Sequence, residues 1–517
     1  MRVTIATFMI ALITLYFIDF LDLMPEELKY LPRIQWVPAL LMVTPVVSVL
    51  LLLSLLFGRV FCSAICPLGI FQDILIRVSS LFYKRRKHKY TYQKPKSWIR
   101  YTVLFLTLAS FMSGTSALVV WLDPYSNFGR IISNIVRPAV IYVNNFIAAA
   151  FIRSGNYNTP LYSVEITGLT WFSSICALAV VAVLIAFTFK HGRMYCNVVC
   201  PVGTFLGMLS KVSLFRVKLD DIKCTSCGLC GMSCKSECID SENKKIDETR
   251  CVSCFNCLKV CKKGGIGYKF ILPSSVKTLK PAFFSKKEIE KKTKKDAVDQ
   301  TRRDLIITTG VVGGAMIAEK LSAKAIENDP AAHRKPIMPP GAQDRESFNK
   351  SCTACHLCIT KCPSKVLTPA FTEYGLEGVF EPTVKYKNGF CNYNCDICAS
   401  VCPTGALRPL PIEEKRLTKI GVAHLRLDLC IVTNDHHDCG ACSEHCPTQA
   451  VKMVPFENGL TRPQLDPDLC IGCGGCEFIC PVRPFQAIYI EGVERQTDAK
   501  KPEAKKIEKA EVDDFGF

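Results

Sequence analysis

The segment Cys470-Ile-Gly-Cys473-Gly-Gly-Cys476-Glu-Phe-Ile-Cys480-Pro481 decides the organisation of this chain of 517 residues, because variants of it occur at five other places. The six runs take 24 of the 30 cysteines, with two runs in the middle and four after residue 350. Their cysteines are Cys224, Cys227, Cys230 and Cys234; Cys251, Cys254, Cys257 and Cys261; Cys352, Cys355, Cys358 and Cys362; Cys391, Cys395, Cys398 and Cys402; Cys430, Cys439, Cys442 and Cys446; and Cys470, Cys473, Cys476 and Cys480.

Most of these runs have the spacing C-x2-C-x2-C-x3-C, which holds [4Fe–4S] clusters in bacterial ferredoxins. Three cysteines within seven residues let one loop bind three irons of a cubane, while the fourth cysteine binds the neighbouring cluster. The spacing therefore predicts six [4Fe–4S] clusters, with Cys234 and Cys261 exchanged between the two middle runs. Neither of these two cysteines is followed by proline, so Cys238 is an alternative to Cys234 as the exchanged ligand.

Two of the six runs have an irregular spacing. Three residues separate Cys391 from Cys395, and eight separate Cys430 from Cys439. Both runs keep their last three cysteines at the standard spacing, and we interpret the extra residues as loop insertions. All four C-terminal runs continue into proline, which can begin a short helix without losing a needed N–H donor.

Zinc, disulfides and haem are the alternatives for closely spaced cysteines. Structural zinc sites separate two C-x2-C pairs by a dozen or more residues, whereas a third cysteine follows here after two. Disulfides between cysteines this close on one loop would be strained. The segment Cys352-Thr-Ala-Cys355-His356 also matches the C-x-x-C-H pattern of c-type haem attachment. Because it lies inside a complete run, we interpret His356 as a bystander.

The N-terminal part of the chain has the composition of a membrane protein. The chain is 49% hydrophobic with a mean hydropathy of +0.20. A bilayer crossing takes about 20 apolar residues, and we predict crossings at Val3–Leu21, Trp36–Phe57, Ile99–Leu122 and Leu169–Phe189. The stretch Ile131–Ile152 contains Arg137 and Pro138 and is expected to lie at the membrane interface. Cys176, within the fourth crossing, is interpreted as an ordinary small hydrophobe.

Loop charge predicts the orientation of these crossings. Nine lysine and arginine residues lie between the second and third crossings, Arg100 lies at the start of the third, and Lys190 and Arg193 follow the fourth. An excess of Lys and Arg marks cytoplasmic loops, so both ends of the four-helix unit are expected in the cytoplasm. The net charge of +18 lies largely on this face and in the lysine-rich segment 262–295, so no nucleic acid partner is needed to explain it.

Two further cysteine pairs repeat one pattern. Cys62 and Cys66 follow the second crossing, Cys196 and Cys200 follow the fourth, and each pair has the form C-x3-C-P-[LV]-G after an arginine. Residues four apart share one face of a helix. Two helix ends could therefore present four thiolates as metal ligands to one iron ion or iron–sulfur centre. A reducible thiol pair, or packing at a helix end, is the alternative.

The segment 301–325 has the features of an export signal. Arg302 and Arg303 precede an apolar stretch that ends at Ala318, the order seen in twin-arginine signals of proteins that are exported folded. Ala323-Lys-Ala325 offers a cleavage site. The charged segment from Arg495 onward is poor in apolar residues and is predicted to be disordered.

These patterns predict an α-helical membrane unit, with four transmembrane helices and a further signal-like helix, and two α+β ferredoxin-like [4Fe–4S] domains. The predicted boundaries are 1–210 for the membrane unit, 211–270 for the two-cluster domain, 271–300 for a basic linker, 301–325 for the signal-like helix, 326–494 for the four-cluster domain and 495–517 for the tail.

Residues 1–270 resemble the NosR/NapH family of membrane iron–sulfur proteins in their four crossings, two C-x3-C-P motifs and two-cluster ferredoxin. Residues 300–490 resemble NapG, a ferredoxin-type partner of NapH, in the twin-arginine segment and four cluster motifs. The resemblance implies a fused quinol dehydrogenase that oxidises menaquinol or ubiquinol and passes electrons to an extracytoplasmic reductase or cytochrome. It also implies nested ligand exchange in the C-terminal domain, of the first run with the fourth and the second with the third.

The expected location is the bacterial cytoplasmic membrane, with its lipid and quinone pool, the middle ferredoxin inside and the C-terminal one outside. The sequence contains no nucleophile–base pair, phosphate-binding loop or molybdenum-cofactor domain, so the chain is expected to leave the terminal reaction to a partner. Trp121, Asp123, Tyr125 and Arg130 are the residues expected near a quinol ring at the interface. The alternative function is a maturation factor that reduces a metal or a thiol for another enzyme.

Overall fold

The computed structural model describes residues 2–20, 23–82, 90–155, 161–166, 168–271, 334–375 and 377–501. The predicted signal-like helix at 301–325 and nearly all of the basic linker 271–300 lie outside these ranges, as does the chain after residue 501. The described residues form one helical unit and two cysteine-rich domains, which are built from short helices and antiparallel strand pairs.

The helical unit comprises residues 2–209. Its long runs of Leu, Val, Ile and Ala form helices because a helix satisfies all backbone polar groups within the segment. The helices are α1 (Arg2–Ile18), α2 (Trp36–Leu41), α3 (Pro45–Phe57), α4 (Val60–Ala64), α5 (Pro67–Phe82), α6 (Ser97–Met112), α7 (Ala117–Leu122), α8 (Pro124–Ile131), α9 (Arg137–Arg153), α10 (Trp171–His191) and α11 (Pro201–Leu209). A 3₁₀ segment at Glu26–Ile34 and π turns at Ile132–Val136 and Tyr195–Val199 complete the unit.

Two of the predicted crossings are each divided into two helices. The segment Trp36–Phe57 is interrupted near Val43, whose φ of 49° lies in the left-handed region, and Pro45 then begins α3. The segment Ile99–Leu122 is interrupted at Gly114, which has a φ of 86°, between α6 and α7. The prediction of continuous helices was wrong here, because hydropathy does not register the turns that glycine and proline permit.

Two helical stretches of the described chain are long and apolar enough to cross a bilayer, namely Pro124–Arg153 and Trp171–His191. Three further apolar helices are shorter: Arg2–Ile18, Pro45–Phe57 and Ser97–Met112. Of the four predicted crossings, the last reaches the required length as a single helix. The four-crossing unit therefore stays a prediction.

The stretch Ile131–Ile152, predicted to lie at the interface, belongs to one continuous helical stretch of 30 residues. Pro138 lies within this stretch, at the junction of the π turn Ile132–Val136 and α9. Arg137 donates from Nη2 to the carbonyl oxygen of Thr360 at 3.0 Å. The N-terminal half of the stretch is therefore covered by the C-terminal domain.

The middle domain folds around two helices. These are α12 (Leu229–Met232) and α13 (Asn256–Val260). Two antiparallel pairs surround them, β1 (Phe215–Leu219) with β4 (Ile266–Phe270) and β2 (Ile239–Asp240) with β3 (Lys245–Ile246). Because β1 and β4 join the two ends of the domain, both of its cysteine runs lie within one closed unit.

The C-terminal domain contains three antiparallel pairs: β5 (Leu367–Pro369) with β6 (Pro382–Val384), β7 (Thr418–Leu425) with β10 (Ile488–Asp498), and β8 (Val451–Pro455) with β9 (Thr461–Leu465). Its short helices are Arg345–Ser351, Leu357–Lys361, Ile397–Ser400, Ile412–Lys415, Ile431–Asn434, Ala441–Glu444 and Gly475–Ile479. The predicted boundary at residue 494 was too early, since Thr497 and Asp498 still pair with β7. Polar strand residues give no hydrophobic signal, and composition therefore assigned them to the tail.

The two cysteine-rich domains contact opposite ends of the helices, as α6 shows. Near its start, Arg100 donates from Nη1 to Thr249 Oγ1 of the middle domain at 2.9 Å. Just beyond its end, the Ser116 hydroxyl donates to the carbonyl oxygen of Asn349 in the C-terminal domain.

Helix α10 runs in the opposite direction between the same two domains. Phe172, in its first turn, stacks on Phe380 of the C-terminal domain with ring centroids 5.3 Å apart. Just after its last residue, the N–H of Arg193 donates to the carbonyl oxygen of Lys235 in the middle domain at 2.9 Å. The helical unit therefore separates the two cysteine-rich domains.

Candidate functional site

The first thiol group of the middle domain surrounds a cavity of about 240 Å³. The lining includes Cys224, Cys227 and Cys230 from the first run and Cys261 from the second. The fold thus brings Cys261 to the first run, as the spacing predicts. Four soft thiolates are the ligand set that a [4Fe–4S] cubane takes, so the residues fit this cluster.

The second thiol group of the middle domain combines Cys234 with the second run. Burial raises the pKa of Cys257, and the neighbouring Cys251, Cys254 and Cys234 raise it further. The Sγ atoms of Cys234 and Cys238 are 3.5 Å apart, and the hydrogen bond from Cys238 lowers the pKa of Cys234. Cys238 is therefore a fifth thiol directly beside this group.

The loops of four runs share a backbone conformation that forms a cradle. In each loop, the residues on either side of the second cysteine have positive φ. These pairs are Ser226 and Gly228, Ser253 and Phe255, Ala354 and His356, and Gly472 and Gly474. Such turns direct backbone N–H groups toward the concave side, which suits an anionic cluster. The loops are therefore shaped for a cluster as well as supplied with its ligands.

His356, which completes the c-type haem pattern, occupies one of these cradle positions. Its Nε2 lies 3.1 Å from the carbonyl oxygen of Phe380, and its Nδ1 lies 3.4 Å from Asn134 Nδ2. Burial and the nearby Arg130 lower its pKa to about 3. The neutral ring therefore helps to hold the C-terminal domain against the helical unit.

In the C-terminal domain, the first and second runs exchange their fourth cysteines. Cys352 interacts electrostatically with Cys358 and Cys402, and Cys355 also interacts with Cys402. The second thiol group of this pair consists of Cys362 from the first run and Cys391, Cys395 and Cys398 from the second. These four cysteines line a single cavity.

The third and fourth runs exchange their fourth cysteines in the same way. Cys442 interacts electrostatically with Cys439, Cys430 and Cys480. The complementary group consists of Cys446 with Cys470, Cys473 and Cys476.

The nested exchange implied by the family resemblance was therefore wrong, because runs pair with their neighbours along the chain. Helix Leu357–Lys361 packs against Ile397–Ser400, and Ala441–Glu444 packs against Gly475–Ile479. Joining neighbouring runs closes shorter loops than joining the first run to the fourth. Shorter loops cost less conformational entropy to close, so each pair of runs can fold as a local unit.

A further thiol group lies inside the helical unit. Cys62, Cys66, Cys196 and Cys200 are each 4–5% exposed. Cys200 interacts electrostatically with the other three. The two C-x3-C-P pairs, which are far apart in sequence, are thus brought together by the fold.

The local geometry of these pairs differs from the predicted helix face. Cys66 and Cys200 each lie directly before a helix, α5 and α11, rather than one turn along a helix from the first cysteine. Their thiols accept the N–H of Gly69 and of Gly203, the latter at 3.3 Å. The positive end of a helix favours a thiolate, so this geometry suits metal ligands.

Two arginines tie the repeats to each other. Arg59 donates from Nη2 to the Cys196 carbonyl oxygen at 3.0 Å, and Arg193 donates from Nη1 to the Cys62 carbonyl oxygen at 2.7 Å. Both arginines are fully buried. Burial lowers the pKa of Arg193, but Asp73, together with Cys196 and Cys254, more than offsets this and raises the pKa overall. The sequence showed an arginine before each pair, but not that each reaches the other repeat.

A buried cluster of charged side chains, one carboxylate with three cations, lies at this junction and was not predicted. Asp73 Oδ2 is 2.9 Å from Arg193 Nη2 and 3.6 Å from Arg2 Nη1, and Asp73 Oδ1 is 3.3 Å from Lys235 Nζ. Burial raises the pKa of Asp73, but the three cations lower it to about 2. Asp73 is the single carboxylate of α5, and that isolation was the available signal in the sequence.

The thiols of the helical unit lie between the two cysteine-rich domains. Toward the middle domain, Arg193 interacts electrostatically with Cys254. Toward the C-terminal domain, Asp123 interacts with both Cys66 and Cys355. One continuous apolar core contains or contacts thiols of all three parts.

The four residues expected near a quinol ring have different surroundings. Asp123 lines an apolar cavity between helices of the helical unit. Trp121 packs edge-on against Phe380 with ring centroids 5.1 Å apart, and the Arg130 guanidinium lies 4.8 Å from the centre of the same ring. Tyr125 is 1% exposed. Trp121 and Arg130 thus serve the contact with the C-terminal domain, and Asp123 alone of the four lines this cavity.

Two family models match the chain. One, described as a 4Fe-4S binding domain, matches residues 38–89 and 172–220, which include both C-x3-C-P pairs. The other, described as a 4Fe-4S dicluster domain, matches residues 346–406 and 437–483 in the C-terminal domain. These matches confirm the predicted 4Fe-4S binding and the ferredoxin-type C-terminal domain, while the cysteine runs of the middle domain lie outside both matches.

The chain is also similar to ferredoxin-type proteins of several bacteria. NapF of Escherichia coli (strain K12) is 30% identical over 154 residues, which are 30% of this chain and 85% of NapF. MauM of Methylophilus methylotrophus, a methylamine utilization ferredoxin-type protein, is 31% identical over 184 residues, which are 33% of this chain and 76% of MauM. NapG of Haemophilus influenzae is 27% identical over 205 residues, which are 37% of this chain and 72% of NapG.

Proposed function

Because this chain belongs to the ferredoxin-type iron–sulfur proteins that include NapF and MauM, we propose that it conducts electrons across a bacterial cytoplasmic membrane, from isoprenoid quinol to an extracytoplasmic reductase or cytochrome. When bound, [4Fe–4S] clusters supply one-electron carriers, six in the cysteine-rich domains and one in the helical unit. The residues of the chain hold these sites in sequence and exclude water from the path. The terminal reaction belongs to the partner.

The position of the thiol group in the helical unit is the observation that carries this proposal. The two cysteine-rich domains contact opposite ends of helices such as α10, whose 21 residues span about 30 Å. Without an intermediate site, the helical unit would insulate one domain from the other. Cys62, Cys66, Cys196 and Cys200 provide such a site within the apolar core that reaches both domains.

Quinol is the donor that suits this arrangement. It is confined to lipid, so it must be oxidised where the chain meets the bilayer, and the helical unit is the part that is apolar enough to do so. The buried polar residues between the thiol groups, among them Asp123 and Arg130, are held by defined hydrogen bonds. Fixed dipoles of this kind stabilise a change of charge at low reorganisation cost.

In this proposal the middle domain faces the cytoplasm and the C-terminal domain faces outward. Nine lysine and arginine residues lie in the sequence between Phe57 and Ile99, which joins the middle-domain ends of α3 and α6, and Lys190 and Arg193 lie at the same end of α10. An excess of cations at one end of a helical unit favours the cytoplasmic side. The twin-arginine segment before the C-terminal domain supports the same orientation.

A reduction assay tests the proposal. A menaquinol analogue is added without oxygen to full-length protein in membranes, and bleaching of the visible cluster absorbance is followed. We expect bleaching in the wild type and its loss in Cys66→Ala and Cys200→Ala, with the iron of the cysteine-rich domains retained. Cys176→Ala, which removes a half-buried thiol of α10, is the control and should bleach normally. If no quinol bleaches any of these proteins, a maturation factor using another reductant becomes the better account.

A further inference from the structure

The middle domain has no part in a path that leads from quinol to an extracytoplasmic partner. Electrons that enter at the helical unit and leave through the C-terminal domain need not pass either of its thiol groups. Its second thiol group is the one next to the helical unit, since Arg193 interacts electrostatically with Cys254 and Arg59 with Cys251. The first thiol group therefore ends a branch of the electron path.

The helical unit holds the middle domain by the side that carries the second thiol group. Arg59 donates from Nη1 to the carbonyl oxygen of Thr249 at 2.9 Å, and the Ser253 hydroxyl donates to that of Phe57 at 3.3 Å. Among the hydrogen bonds between described residues, none joins the helical unit to the loop 219–230. The first thiol group therefore lies on the side away from the helices.

The loop of the first cysteine run is open to solvent. Cys227, the second cysteine of this run, is exposed, as are Thr225 and Ser226 beside it. The second cysteines of the other five runs are half-buried or buried, namely Cys254, Cys355, Cys395, Cys439 and Cys473. Electron transfer slows steeply with distance, so an exposed loop at a cluster site suits exchange with a soluble carrier.

The side chains around this loop are cationic. Lys223, Lys262 and Lys263 are exposed and line the cavity of the first thiol group, and none of the described residues that line it is acidic. Asp220, which follows the lining residue Leu219, is paired with Lys269, whose Nζ lies 3.2 Å from its Oδ2. The three lysines therefore give this surface a positive field.

The positive charge distinguishes the middle domain from the C-terminal domain. Residues 211–270 include twelve lysine and arginine residues against seven aspartate and glutamate residues. Residues 334–501 include nineteen of each kind. A carrier that recognises the middle domain by charge must therefore be acidic, and it would gain nothing comparable at the C-terminal domain.

We propose that the first thiol group of the middle domain is where a small, soluble, acidic protein that carries one electron docks and reduces the chain. Carboxylates of the carrier face Lys223, Lys262 and Lys263, and its apolar atoms contact Ile222 and Leu229, which are 94% and 46% exposed. Apolar contact within a charged rim is the usual anatomy of such an interface. The step is a one-electron transfer, in which the carrier is oxidised, the cluster held by the four thiols is reduced, and no bond or proton changes. This inference goes beyond the proposed function, because it adds a second electron donor on the side of the middle domain.

Binding of oxidised plant-type [2Fe–2S] ferredoxin, a small acidic carrier, to full-length protein in phosphatidylcholine nanodiscs tests the site without turnover. We expect saturable binding that weakens as salt is added, because salt screens exposed charges. Lys262→Glu/Lys263→Glu should weaken binding roughly tenfold at low salt. Lys387→Glu/Lys452→Glu is the matched control, since it makes the same change of net charge on exposed lysines of the C-terminal domain. Its affinity should equal that of the wild type.

Stopped-flow reduction separates lost docking from a damaged cluster. Reduced ferredoxin should bleach the wild type and the control at equal rates, and the Lys262→Glu/Lys263→Glu variant roughly tenfold more slowly. The methyl viologen radical, a small cation that needs no lysine, should reduce the variant as fast as the wild type. Wild-type ferredoxin affinity in the variant would overturn the site. Equal losses in the variant and the control, or reduction by methyl viologen with none by ferredoxin, would overturn it as well.

Anionic lipid is the other kind of molecule that a cationic surface could hold. Repeating the binding in nanodiscs that contain phosphatidylglycerol tests it, with the ratio of wild-type to variant affinity as the readout, because anionic lipid repels the carrier from both proteins alike. We expect the ratio to stay the same, and a ratio of one would show that lipid occupies the lysines and would overturn the proposal. None of these measurements uses quinol, so failure of this site and failure of quinol oxidation are distinguished.

Discussion

Gly69 and Gly203 occupy equivalent places in the two C-x3-C-P repeats, where no side chain fits. A Cβ on Gly203 would lie 2.2 Å from the Cys196 carbonyl oxygen, and one on Gly69 would lie 2.3 Å from the Cys62 carbonyl oxygen. Each of these carbonyls accepts a hydrogen bond from the arginine of the other repeat. The glycines therefore permit the close approach on which the contact between the repeats depends.

We expect Gly203→Ala to displace the Cys196 carbonyl and Arg59 together. Overpacking of this kind costs about 1–3 kcal/mol, and it should also lower the iron bound by the helical unit. Thermal melting and iron content per chain are the measurements. Gly267→Ala in β4 is the control, since a Cβ there would lie 3.7 Å from its nearest neighbour. Unchanged melting and iron content in Gly203→Ala would show that the close approach is not needed.

Glu381 of the C-terminal domain is fully buried, and neither of its carboxylate oxygens has a hydrogen-bond partner among the described residues. Burial raises its pKa to about 8, although Arg345 lowers it in part. Between the ordinary pKa of a glutamate and this value, the unfolded chain releases the proton and the folded chain retains it. The stability of the folded protein must therefore fall as pH rises through this range.

Replacement by glutamine isolates this effect. Glu381→Gln should gain stability relative to the wild type between about pH 6 and pH 8, by at most about 1.4 kcal/mol per pH unit. Melting temperatures of both proteins at the two pH values measure the difference. A difference that does not change with pH would mean that Glu381 titrates normally.

At the scale of elements, the C-terminal domain consists of two pairs of neighbouring cysteine runs. The structure assigns Cys402 to the group of the first run and Cys480 to that of the third. The nested arrangement would instead give Cys480 to the first run. The two arrangements differ in which pairs of substitutions affect the same cluster.

Iron content distinguishes these arrangements. Cys352→Ala and Cys402→Ala should each remove about four irons per chain, and the double variant should lose no more than either single variant. Cys352→Ala combined with Cys480→Ala should remove about eight. If the Cys352→Ala/Cys402→Ala variant instead lost about eight irons and the Cys352→Ala/Cys480→Ala variant about four, the nested exchange would be correct.

Spacing predicted the thiol groups because three ligands of each cluster are local in sequence. In the C-terminal domain it did not identify the partner runs, since each of the four runs offers an equivalent fourth cysteine and the choice depends on how the helices of the runs pack. Hydropathy likewise found the apolar segments but missed the interruptions near Val43 and Gly114. Arg59 and Arg193 each contact the other repeat, and these contacts form only in the tertiary structure. No local sequence pattern therefore predicts them.

At the scale of the whole molecule, the helical unit separates two domains that the chain connects through residues 272–333. The proposed orientation, with the middle domain in the cytoplasm, rests on the basic residues in the sequence at the middle-domain end of the helices. Protease added to intact spheroplasts should cleave the C-terminal domain and spare the middle domain. Both domains should be cleaved after the membrane is dissolved, which serves as the control. Protection of both in intact spheroplasts would place them on the same side.

The passage of electrons through Cys62, Cys66, Cys196 and Cys200 is the central claim, and proteoliposomes test it most directly. Full-length protein is reconstituted around entrapped ferricyanide, dithionite is added outside, and the loss of ferricyanide absorbance is followed. The wild type and Cys176→Ala should reduce the entrapped ferricyanide well above the rate of protein-free liposomes. The Cys66→Ala/Cys200→Ala double variant, with the iron of its cysteine-rich domains retained, should fall to the protein-free rate. Reduction by that variant at the wild-type rate would contradict the account.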